Sequence, residues 1–148
     1  PDYLESGQYE PRASQATISN AMDVGAPSNF ERMTAQWSLE ELRRLVQGVW
    51  VHDEATRQRI GEVHTAWGYF LDPHTAVAWQ GFDILRRSCS LGVPVGILAT
   101  AHPAKFAQIV EPLTGPVPVP PSLRQVMERE PRAERIPADI AALWEVLS

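Results

Sequence analysis

Two short stretches of this chain gather side chains capable of chemistry. Thr100-Ala101-His102-Pro103-Ala104-Lys105-Phe106 sets a hydroxyl, an imidazole and a primary amine in a row, and Asp72-Pro73-His74-Thr75 groups a carboxylate, an imidazole and a hydroxyl around a proline. Polar groups at the carboxyl end of a buried strand lie where open α/β folds bind ligands. Polar groups at a helix start lie beside free backbone N–H groups that attract anions. Plain helix capping accounts for the same residue types at both places. Lys105 is the one lysine among 13 basic residues, so any reaction that needs an amine has a single candidate.

The other reactive side chains read more simply. His64 falls on the apolar face of its helix, which suits a hydrogen-bonded core histidine. His52, His74 and His102 are scattered near helix starts, without the His or Cys spacing that gathers metal ligands on one face, so no metal site is expected. Cys89 has no base at local spacing and falls on an apolar helix stripe, the position of a small core side chain. No Gly-rich loop for a phosphate is present.

Helices dominate the elements that must carry these groups. Residues 1–19 show neither helical nor strand period, and no core is assigned to them. After the break at Gly25-Ala26-Pro27, Ser28 or Asn29 can cap a short helix over 30–36. Ser38-Leu39-Glu40-Glu41 is a capping box that opens a helix ending at Gly48. Val49-Trp50-Val51 suits a short strand, and Asp53 opens a helix whose Ile60, Val63, His64 and Trp67 recur at helical spacing up to Gly68. Asp72 followed by Pro73 is an N-cap with proline at the first helical position. That helix should run to about Ser90 and bury Val77, Ala78, Phe82, Leu85 and Cys89.

The run 93–99 is apolar without alternation, the pattern of a strand covered on both faces in a parallel sheet. Thr100 to His102 then fall at its carboxyl end. Pro103 starts a helix with Phe106, Ile109, Val110 and Leu113 on one face, closed by Gly115. Four prolines within 116–121 form an extended spacer. Ser122 with Gln125 makes a further capping box, and Ile140, Leu143, Trp144 and Leu147 repeat the helical period at the end.

Composition bounds the class. With 13 Lys+Arg against 18 Asp+Glu the formal charge is −5, which argues against a nucleic-acid partner. No apolar run approaches the roughly 20 residues that span a bilayer, so no membrane role is expected. A single cysteine makes no internal disulfide and fits a cytoplasmic setting. The first residue is proline rather than methionine, and the chain reads as a piece of something longer.

Three blocks carry a family likeness. Thr17-Ile18-Ser19-Asn20-Ala21-Met22-Asp23-Val24-Gly25-Ala26-Pro27-Ser28-Asn29, Gly68-Tyr69-Phe70-Leu71-Asp72-Pro73-His74-Thr75-Ala76-Val77-Ala78 and Thr100-Ala101-His102-Pro103-Ala104-Lys105-Phe106 resemble, in order and spacing, three blocks of the threonine synthases. The likeness extends from Asp2-Tyr3-Leu4 to the last helix and covers only the C-terminal part of that family. It implies a lyase of threonine biosynthesis that uses pyridoxal phosphate on a fold type II scaffold. The reaction it implies turns O-phosphohomoserine and water into threonine and phosphate, by γ-elimination followed by β-addition of water.

The same resemblance implies that the lysine anchoring the cofactor, the loop for its phosphate and most substrate-phosphate ligands lie upstream of this segment. No catalytic residue is therefore expected here, and the segment alone should be inactive. Lys105 aligns with the lysine of the third block, not with the anchoring lysine, which makes it a structural or supporting amine. Thr100 resembles the hydroxyl that hydrogen-bonds the pyridine nitrogen. A neutral hydroxyl there keeps the ring nitrogen from firm protonation and moderates the electron sink. Asn20, Ala21 and Met22 resemble a stretch that passes close to the cofactor, and Asp72 and His74 the helix start beside it.

The expected fold is α/β, the helix-rich C-terminal portion of a fold type II enzyme with few short parallel strands covered by helices. Residues 1–115 should belong to the cofactor domain, and 116–148 should be a proline-rich spacer with helices packing on it. The expected partners are O-phosphohomoserine and the remainder of the same enzyme chain. Two other readings share these features: part of another fold type II lyase such as a threonine or serine dehydratase, and a stand-alone binding or interaction module that kept the fold without the chemistry.

Overall fold

Local capping chemistry sets most helix boundaries in the computed structural model, which describes residues 1–87, 92, 94–130, 133 and 135–147. In the unit Pro1–Pro118, α1 (Asp2–Ser6) turns off at Gly7 with φ 75°, and α2 (Phe30–Gln36) is followed by α3 (Leu39–Leu45). Ser38 opens α3: its Oγ accepts from Glu41 N at 3.3 Å while the Glu41 carboxylate accepts from Ser38 N at 2.8 Å. The long α4 (Asp53–Trp67) ends at Gly68, whose φ of 64° is the left-handed cap that a side chain would strain. α5 (Pro73–Leu85) follows the Asp72 cap, and a 3-10 turn, Pro103–Phe106, runs into α6 (Ala107–Thr114). The unit Val119–Ser148 holds α7 (Pro121–Met127) and α8 (Ile140–Leu147).

The core centres on α4, which packs against both α5 and α6, while α1 packs on α3. Thr56, Ile60 and Val63 form one buried stripe of α4, and Leu71, Ala76, Phe106 and Val110 are buried with them. A polar clamp adds to this on the α4–α5 side. Arg59 meets Asp83 at 2.6 Å and donates to Gln80 Oε1 at 2.7 and 3.0 Å, and Arg86 meets the other Asp83 oxygen at 2.7 Å. Asp83 is buried, so the charge-assisted bonds from two guanidinium groups offset its desolvation. Outside the clamp, Trp67 of α4 stacks on Trp79 of α5 with ring centroids 5.4 Å apart.

Several expectations are corrected. Neither Val49-Trp50-Val51 nor residues 94–99 form a strand, and no strand ladder occurs among the described residues. A strand persists only where a neighbour takes its backbone N–H and C=O groups, and no described segment supplies one. Leu98 is 81% exposed rather than covered on both faces. Residues 1–19 are not structureless: α1 lies there and Ile18 is buried. α3 stops at Leu45, short of Gly48.

The buried face of α5 also differs from the expected apolar stripe. It carries Pro73, Thr75, Ala76, Gly81 and Asp83, whereas Ala78 is exposed and Val77, Phe82 and Leu85 are half-buried. Arg59 on α4 selects the face that holds Gln80 and Asp83. The last turn expected of that helix, with Cys89 and Ser90, and the first residue of the expected strand, Val93, lie outside the described residues. Ser122 does not cap α7, which begins one residue earlier on Pro121. Among the described residues no helix is long and apolar enough to cross a membrane.

Candidate functional site

Asp72 organises the second block from inside. Its Oδ1 accepts from His74 N at 2.9 Å and lies 3.1 Å from His74 Nδ1, while Oδ2 accepts from the Thr75 hydroxyl. With Asp72 only 2% exposed, both oxygens are spent on the first turn of α5. This is the capping role, and it also fixes the imidazole. His74 Nε2 is buried with no hydrogen-bond partner among the described residues. The ring lies edge-on to Phe106, centroids 5.1 Å apart.

That ring contact joins the second block to the third. Phe106 ends the 3-10 turn that His102 opens by accepting from Ala104 N through Nδ1 at 3.1 Å. His102 therefore works as a cap, with Pro103 at the first position of the turn. Thr100 stands two residues before it, exposed, and its hydroxyl makes no hydrogen bond among the described residues. Lys105 is exposed while its neighbours Ala104 and Phe106 are buried.

The first block forms a separate loop. Asn20–Met22 is a single 3-10 turn, and Asn20 and Ala21 are exposed at its tip. Below the tip, Thr17 donates from its backbone N–H and its hydroxyl to the two oxygens of Asp23, at 2.8 and 2.7 Å. Ile18 N faces Asp53 at the start of α4, 3.3 Å away. Beyond the loop, Arg12 and Gly25 approach so closely, N to O 3.1 Å, that a Cβ on Gly25 would stand 1.7 Å from the Arg12 carbonyl oxygen.

His74, its ring fixed by Asp72, is thus brought against Phe106 of the 103–106 turn, with Thr100 near the turn's start in the chain. Asn20, Ala21 and Met22 sit on a loop rooted at the other end of the long helix, and no hydrogen bond joins that loop to Thr100 or His74 among the described residues. A broad open cleft of about 1180 Å³ borders the base of the first-block loop at Thr17 and Asp53, is lined also by Tyr3, Tyr9, Phe30 and Trp50 among others, and includes none of the six expected residues. Among the described residues no three His, Cys, Asp or Glu side chains converge as metal ligands do. Sequence reasoning missed Thr17, Asp23 and Asp53 as loop-holding residues. Their partners are six and 35 positions apart, beyond any local pattern.

The comparisons agree with one another. A family profile described as threonine synthase, C-terminal, matches residues 75–147. The threonine synthase of Escherichia coli strain K12 is 37% identical over 99% of this chain, and that of Serratia marcescens 35% identical over the same share. In each case the chain spans about a third, 34%, of the relative's length. Among solved structures, a threonine synthase from Escherichia coli superposes with a TM-score of 0.74 at 36% identity, covering 99% of this chain and 34% of its own. A PLP-bound threonine synthase from Brucella melitensis superposes at 0.62 and 31% identity, covering 87% of this chain and 33% of its own. The chain belongs to the threonine synthase family, as a segment of its C-terminal part.

Proposed function

We propose that this chain contributes one wall of the pyridoxal phosphate site in an enzyme that makes threonine and phosphate from O-phosphohomoserine and water. The observation that carries this reading is the likeness to threonine synthase structures over 99% of the chain at a TM-score of 0.74. That the similar relatives are threonine synthases also favours it over a dehydratase or a stand-alone module. When bound, pyridoxal phosphate supplies the electron sink for the elimination and addition steps.

The residues present fit a wall rather than an anchor. Thr100 offers a neutral hydroxyl with no hydrogen-bond partner among the described residues, which suits one hydrogen bond to a ring nitrogen without transferring a full charge. Asn20 and Ala21 present an exposed edge, with Met22 following them in the same turn. Asp72 and His74 border the site from the start of α5 and hold the 103–106 turn through Phe106. The anchoring lysine and the phosphate loop belong to the remainder of the enzyme, which also supplies the strands of a fold type II sheet beside residues 94–99. Residues 1–115 belong to the cofactor domain in this reading, and the setting is the cytoplasm.

Thr100→Val in the full-length enzyme tests it, because the branched shape stays while the hydroxyl goes. Leaving one buried polar partner unpaired costs about 1–3 kcal/mol, or on the order of 5- to 150-fold in rate. Threonine and phosphate release should fall by that factor, with weaker cofactor binding. Wild-type turnover and unchanged cofactor absorption in Thr100→Val would overturn the assignment of this hydroxyl. Lys105→Ala should still retain the cofactor in the same assay.

A further inference from the structure

We infer that Asp23, Thr17 and Asp53 are positioning residues that hold the Asn20–Ala21 tip in place for the cofactor, an inference that rests on the proposed function. The loop 17–23 is built as a closed clasp. Both Asp23 oxygens are occupied by Thr17, through its backbone N–H at 2.8 Å and its hydroxyl at 2.7 Å. Asp23 N in turn donates to Asn20 O at 3.1 Å, so one residue closes the loop and ends its single helical turn. Ser19 Oγ lies 3.1 Å from the Thr17 hydroxyl and braces the same corner.

The clasp is also rooted. Ile18, the residue after Thr17, buries its side chain to 8% exposure and points its N–H at the Asp53 carboxylate, 3.3 and 3.4 Å from the two oxygens. Asp53 is the first residue of α4, a 15-residue helix that anchors the core. The base of the loop is therefore fixed on the most heavily packed element of its unit, while Asn20 and Ala21 remain exposed. A tip held this way presents its groups without having to order itself on binding, which is what a preorganised contact requires. Both Asp23 oxygens face donors of the loop, and Asp53 faces the Ile18 N–H at its base.

The test uses the full-length enzyme carrying this segment, stripped of cofactor and reloaded. Asp23→Ala removes the acceptor of both Thr17 bonds. Displacing a contact by about 1 Å can cost on the order of 100-fold, so kcat/KM should drop by about 10- to 100-fold with weaker pyridoxal phosphate binding and a little-changed melting temperature. Thr17→Ser keeps both donors and should leave cofactor affinity near the parent value, whereas Thr17→Val, which loses the hydroxyl alone, should fall between. Asn20→Ala separates the two levels of the argument. If Asn20→Ala weakens cofactor binding and Asp23→Ala does not, the clasp is only structural and this inference fails while the proposed function stands. If Asn20→Ala changes neither binding nor rate, the placement of this loop at the cofactor fails, and the inference with it.

Discussion

The α4–α5 contact and the segment 94–101 are both rich in apolar residues, yet one is closed and the other open. Along α4 and α5, buried apolar side chains alternate with a polar clamp whose members all have partners, from Arg59 to Gln80 and Asp83. In the segment, Val95 and Leu98 are exposed and the backbone joins no ladder among the described residues. The difference teaches that helices satisfy their own backbone and need only one covered face, whereas a strand-like run depends on neighbours for its hydrogen bonds.

Substitutions along the closed region should break it most. Ile60→Ala opens a cavity at a fully buried position and should cost about 2–5 kcal/mol by chemical denaturation. Asp83→Ala takes the carboxylate from Arg59, which keeps Glu62 and Gln80, and from the exposed Arg86; losing these charge-assisted bonds should cost about 2 kcal/mol. Replacing Arg59 together with Asp83 by apolar residues should cost less than either single change, and a double-mutant cycle would show this coupling.

Smaller effects lie at the helix caps. Ser38→Ala removes the cap of α3 and should lower stability by about 1 kcal/mol. Hydrogen bonds from the Ser38 hydroxyl and backbone hold the Glu41 carboxyl below its ordinary value of 4.5. A depressed folded value means the contribution is present above pH 4.5 and is lost as pH falls through the lower folded value. Ser38→Ala should therefore flatten the acid limb of the stability curve, read by melting at stepped pH. At the open segment, Leu98→Ala should change this chain's stability by no more than about 0.5 kcal/mol. In the full-length enzyme a loss of about 2 kcal/mol or more at Leu98 would show that the rest of the protein covers it.

Legibility in the sequence followed the same divide. Caps that act within three residues, such as Ser38 with Glu41 and Asp72 with Thr75, were readable because donor and acceptor are neighbours in the chain. The helix stops at Gly68 and Gly115 were readable for the same reason. What escaped was set by distant partners. The rotation of α5 follows from Arg59, 24 positions before Asp83, and the pose of the 17–23 loop follows from Asp53. The strand over 93–99 was read from apolar content, which records that a segment is to be covered but not which chain covers it. The three blocks of the candidate site are legible as motifs in the sequence, but the contact of His74 with Phe106 that joins two of them is not.

The stacked pair Trp67 and Trp79 spans α4 and α5 at the rim of the closed region, with Trp67 66% exposed. Two indoles at 5.4 Å and 22° couple their electronic transitions, so they form an optical gauge of the helix pair that needs no added label. The pair's near-ultraviolet circular dichroism depends on the angle between the rings and should vanish when α4 and α5 separate. Its persistence with the chain alone, and any change on joining the remainder of the enzyme, would report whether this helix pair is already in its final register before the cofactor arrives.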